Sequence, residues 1–232
     1  TVYLGLTLLV GCVMLRRSSA SNMKGVSLAS IVRQYIGFSQ NLSLISVAAH
    51  KWLLTFLLLI TVAFLPFELQ GKLGLSAAQY GYYLILPSLA PIVGSVLIKM
   101  CLRVYSAQRL LAGFSLLILL AGLIFIWAPF TPFNLMLAYG LFMLALGAMF
   151  PCVIQLVVAP FQQQAGAVNA YVGAIEMLVF SGLAILVGRY VISDVNSLGL
   201  VFIAVFLLLV ACTGVLHHKS KTSQNLSAEL TR

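Results

Sequence analysis

Glu176 is the residue whose position demands chemistry. It lies well inside a long apolar run, with Ile175 before it and Met177, Leu178 and Val179 after it. A carboxylate at bilayer depth is costly unless it is protonated, faces water or meets a partner. Proton or cation handling is the chemistry such a residue can perform. Asn169 and Gly173 stand seven and three residues earlier, on the same helical face. That face is expected to line a cavity; the alternative is a protonated Glu176 bonded to a neighbouring helix. A second run carries Tyr139, Met143, Phe150 and Gln155 around Gly147 and Pro151. Methionine and aromatic side chains suit a tolerant apolar pocket, although ordinary helix packing uses them too. Glu68 follows Pro66 and Phe67. It is expected to face solvent near Lys72, with a place at a cavity mouth as the alternative.

Catalytic machinery is not visible. No GxSxG elbow occurs, because Ser115 has Gly113 before it but Leu117 after it. No HExxH occurs, His50 stands alone, and His217 and His218 fall near the end of the chain. Cys12, Cys101, Cys152 and Cys212 form no CxxC pair and read as packing thiols. With no nucleophile–base pair and no metal-ligand set, the expectation is a non-enzyme without catalytic residues, metal or cofactor.

The elements that hold these residues are membrane spans. Of 232 residues, 62% are hydrophobic and 7% are charged, against about 25% charged in soluble domains. Mean hydropathy is +1.11. That much apolar surface calls for lipid as the solvent. The net charge of +9 is dispersed between apolar runs, which points to cytoplasmic loops and not to nucleic acid.

The pattern predicts an all-α polytopic membrane protein. A stub at 1–15, short for a span, reads as the end of a truncated transmembrane helix. Residues 16–43 form a basic linker. There Leu28, Ile31, Val32, Tyr35 and Ile36 recur at helical spacing opposite Ser30, Arg33 and Gln34, so a surface helix fits, as would a plain solvated linker. A six-helix transmembrane bundle follows over 44–216. Its spans are expected at 44–67, 80–102, 110–128, 133–161, 165–192 and 198–216, before a loose tail at 217–232. Arg16, Arg17, Lys24 and Arg33, then Lys99, Arg103 and Arg109, then Lys219 and Lys221 fall on one side; Lys72 and Arg189 fall on the other. The positive-inside rule makes the linker and tail cytoplasmic.

The order of parts resembles the second half of a major facilitator superfamily transporter. The run Leu73 to Gly81 is similar to the segment leading into helix 8 of the Bcr/CflA drug-resistance branch. Gly94 and Ser95 with Lys99, Arg103 and Arg109 resemble that branch's loop between helices 8 and 9. Phe161 to Gly173, with Ala165, Gly166 and Ala167, resembles the start of its helix 11. The chain departs from the pattern in having no acidic residue in the 8–9 loop, and in carrying Glu176 where relatives tend to carry Gln.

The resemblance implies a 12-helix transporter of which this chain is helices 7–12, with its N-terminal half as partner. It implies proton-coupled efflux of small amphiphilic compounds or drugs by alternating access, in a bacterial inner membrane. A small-molecule substrate, the proton and membrane lipid are then the other partners. Glu176 becomes the coupling residue. Asn169, Tyr139, Met143, Phe150 and Gln155 line the substrate cavity, and Lys99, Arg103 and Arg109 form a cytoplasmic gate loop. The alternatives are an uptake or siderophore-type carrier of the same superfamily, and a non-transporting polytopic protein.

Overall fold

The computed structural model describes the backbone of residues 28–230 and the side chains of residues 32–216. The stub at 1–15 and the first part of the linker lie outside the described residues. Among the described residues there is no strand. Helix α1 spans Leu28–Gln40. The chain divides into two units at Gly37 and Phe38; the first holds most of α1, and the second is the bundle.

The bundle opens with α2, Leu42–Pro66. Asn41 caps it, accepting the Leu44 N–H at 3.2 Å. The apolar run was expected to end at Phe67, but the helix continues as a wide π turn over Phe67–Lys72. Helix α3 covers Ala77–Cys101 and starts in a full capping box between Ser76 and Gln79. Helix α4 covers Ala107–Trp127. Helix α5 covers Pro132–Val158, with Pro132 in its first turn and Thr131 as cap. A 3₁₀ segment, Ala159–Gln164, interrupts the helix, and Phe161 leaves helical geometry at φ −125°, ψ 37°. Helix α6, Ala165–Ile175, passes through a second π turn, Glu176–Phe180, into α7, Ser181–Tyr190. Helix α8 runs from Val195 to Leu230.

The loose tail is therefore corrected. The backbone from His217 to Leu230 continues α8, and that stretch has neither Gly nor Pro to stop it.

Among the described residues, five continuous helical stretches are long and apolar enough to cross a membrane: 42–72, 77–101, 107–127, 132–190 and 195–216. The chain is an all-α membrane protein by length and composition. Several hydroxyls inside these stretches bond back to their own helices, as Thr61 does to Leu57 O at 2.7 Å and Ser115 to Ala112 O at 2.7 Å. Such bonds satisfy polar groups where water is excluded.

Helix α2 packs on α5, α7 and α8, so the arms on both sides of the 3₁₀ segment meet the same helix. The most extensive contact joins α3 to α5, and the next joins α4 to α8. Both rest on glycine. A Cβ on Gly147 would fall on the Pro91 backbone, 2.6 Å from its carbonyl carbon. A Cβ on Gly94 would meet Ala148 N at 2.9 Å. Gly122 and Gly199 also stand close across α4 and α8, where a Cβ on Gly199 would lie 2.7 Å from Gly122 O. Small residues let apolar helices gain dispersion contact backbone to backbone. Beside them, Phe202 of α8 meets Phe125 and Phe142 edge-on at 5.3 and 5.2 Å.

Candidate functional site

Lys51, Trp52 and Thr55 project from one turn and a half of α2, and Glu176 faces them from the π turn packed against that helix. The Lys51 ammonium and the Glu176 carboxylate form an ion pair through Oε2. Thr55 donates its hydroxyl to Oε1 at 2.5 Å. Both oxygens of the carboxylate are thus satisfied by α2, one by charge and one by a neutral donor.

Trp52 fixes the register of the two segments. Its Nε1–H donates to the Val172 carbonyl at 2.9 Å, one turn before Glu176. Its ring stacks on Phe180, the last residue of the π turn, at 5.5 Å and 22°. The carboxylate sits at the first position of that turn, and the Ser181 N–H reaches the Glu176 carbonyl across it. The Ser181 hydroxyl also donates to that carbonyl, at 3.2 Å. Wide turns of this kind recur at functional sites because they displace a side chain from the regular helical row.

The two charged side chains are sheltered unequally. Glu176 retains 7% of its side-chain exposure, and Lys51 retains 17%. Lys51 also lies 5.4 Å from the centre of the Phe150 ring on α5, within cation–π range. The lysine is therefore the member of the pair with residual access, and an aromatic face offers it a second place to rest.

His50 adjoins the pair in sequence but points elsewhere and is fully buried. Nδ1 lies 2.9 Å from the Ser46 carbonyl, and Nε2 lies 3.0 Å from the Thr213 hydroxyl on α8. The carbonyl can only accept, so Nδ1 carries a hydrogen. The Thr213 hydroxyl donates to the Leu209 carbonyl at 2.8 Å.

The sequence-derived candidates divide. Glu176 and Phe150 converge on Lys51. Tyr139 is buried in packing beside Phe142, at 6.5 Å between rings, and Met143 is half-buried. Asn169 and Gln155 are exposed. Asn169 was expected to share a cavity face with Glu176, but Glu176 is turned inward onto α2. Lys99, Arg103 and Arg109 are exposed. Lys99 stands in the last turn of α3, where the helix dipole favours a cation, whereas Arg109 stands in the first turn of α4, where it does not.

Glu68 corrects the expectation of a solvent-facing residue. It is 4% exposed, and Lys72 reaches its Oε1 at 2.8 Å one turn on. The π turn rolls the carboxylate inward while leaving the lysine half out.

Lys51 is the partner of Glu176 that sequence reasoning passed over. The signal was available, because a lysine eight residues into an apolar run needs a partner as much as Glu176 does. Comparison with family models, with curated proteins and with solved structures gives no match to this chain.

Proposed function

We propose that this chain is the C-terminal half of a secondary transporter of the major facilitator type, and that the Lys51–Glu176 pair is its coupling element. The observation that supports this reading most is a carboxylate buried on a π turn and paired across the bundle to a lysine with residual access. Protonation of Glu176 would neutralise it and release the ammonium to water, to Phe150 or to a passing ligand. Loss of that proton would draw the lysine back. A charge that alternates between a buried partner and an open side is what proton coupling to a conformational cycle requires.

Six crossings fit the lengths. The stretch 132–190 has 59 residues and would extend about 90 Å as one rod, roughly three times the hydrocarbon core. Read as two spans joined at Ala159–Gln164, it completes an even number, with both ends on the cytoplasmic side. The N-terminal half of the same transporter would then cover the faces that carry Asn169 and Gln155, since exposed amides are poorly suited to lipid. The similarity of residues 73–81 and 161–173 to the Bcr/CflA branch favours efflux of small amphiphilic compounds.

Inside-out vesicles from cells expressing the full-length protein test the reading. Ethidium uptake driven by a pH gradient is expected to fall at least tenfold with Glu176→Gln, while the amount of inserted protein stays unchanged. Gradient-driven flux at the original rate in that variant would overturn the proposal.

A further inference from the structure

A pocket lies beside the π turn that follows α2. Glu68 follows Lys51 by 17 residues, which places it about 25 Å along the helix. The π turn after α2, the end of α4, the start of α5 and the start of α8 border a half-open pocket of about 280 Å³ there. Its wall includes Glu68, Lys72, Asn134 and Asp194, with Phe125 and Phe130 as aromatic surfaces.

The demand for a ligand comes from Glu68. Its Oε1 is met by Lys72, but Oε2 is buried and has no hydrogen-bond partner. Buried polar atoms are nearly always satisfied, and an ionised one all the more so. Asp194 supplies a second negative charge at the rim. The Ser197 N–H, at 2.8 Å from its Oδ1, and the Ser197 hydroxyl hold that carboxyl below the usual carboxylate range. Lys72 lies within electrostatic reach of it. The Asn134 amide gives one of its two N–H groups to the Pro129 carbonyl at 2.9 Å, which leaves one N–H and the acceptor oxygen.

Two carboxylates therefore face one ammonium, acceptors outnumber donors, and the remaining wall is aromatic and aliphatic. An anion is disfavoured. A metal ion is not matched either, since among the described residues no three His, Cys, Asp or Glu side chains gather as ligands. From this geometry we infer that the cavity binds a small organic ammonium compound, whose N–H groups meet Glu68 Oε2 and Asp194 while its apolar body lies against Phe125 and Phe130. The cavity is slightly below the range of about 300–1,000 Å³ usual for small-molecule pockets, so the occupant is small. The inference does not depend on the transport reading.

Calorimetry on the detergent-solubilised protein at pH 7 tests it, with benzylammonium as probe and benzyl alcohol and benzoate as controls. Benzylammonium is expected to bind saturably and at least tenfold more tightly than either control. Glu68→Gln is expected to abolish binding. Two variants at exposed positions avoid replacing a buried side chain: Lys72→Met removes the competing cation and is expected to tighten binding several-fold, and Asp194→Asn to weaken it several-fold. Equal affinity for benzyl alcohol, or benzylammonium affinity unmoved by both Lys72→Met and Asp194→Asn, would overturn the site.

Discussion

Replacing Lys51 by methionine alone is expected to destabilise the bundle by about 3–5 kcal/mol, whereas Lys51→Met combined with Glu176→Leu restores most of the loss. The single change strands a carboxylate that is 5% exposed and leaves Thr55 as its one remaining donor from α2. The double change removes both charges together with the cost of desolvating them. Buried pairs exchanged for apolar residues of similar volume are often neutral or better. Reversible unfolding in mixed micelles, taken around the full double-mutant cycle, measures the coupling. Single losses that simply add in the double variant would show that the two side chains do not act as a pair. The same double variant separates stability from function, because it is expected to fold and to lose gradient-driven flux.

The second large effect concerns the seam between α3 and α5. Gly147→Ala is expected to cost about 1–3 kcal/mol, and Gly94→Ala a similar amount, because each new methyl meets backbone that cannot swing aside. Flexible side chains move away from such intrusions, but here the neighbours are Pro91 and Leu144 main-chain atoms. Gly140 lies on the same helix as Gly147, and a Cβ there meets nothing within 4 Å. Gly140→Ala is therefore the matched control, expected to change stability by less than about 0.5 kcal/mol or to raise it slightly. Thermal unfolding of the three variants in detergent ranks them. A Gly147→Ala protein as stable as Gly140→Ala would mean that α3 and α5 stand further apart than the structure places them.

Much of the architecture was legible in the chain because apolar length is a strong signal. The run at 110–128 overlaps the helix at 107–127 to within one residue at its end, the run at 198–216 falls inside the helix at 195–230, and the cap at Ser76 and the turn at Asp194 lie where the turn chemistry puts them. What escaped was local winding. Both carboxylates of the apolar stretches, Glu68 and Glu176, lie on π turns, and no residue type announces one. Regular periodicity put Glu176 on a face with Asn169, but the partner it found is on α2, 125 positions earlier in sequence. Spacing rules within one helix have no means of naming a residue on another. The closeness at Gly147 and Gly94 was legible as a tendency, since glycine permits contact, yet the opposing Pro91 backbone is a fact of the assembled bundle.

The wide turn from Glu176 to Phe180 holds one residue more than an ordinary helical turn needs. Loss of a single codon between Met177 and Phe180 would let that stretch close as regular α-helix, with the flanking segments keeping their neighbours. The same deletion elsewhere in a buried run would rotate everything after it by about 100°. The gene thus has a place where its reading length can change by one amino acid without scrambling the bundle, and that place is beside the charge that the rest of the fold could do without.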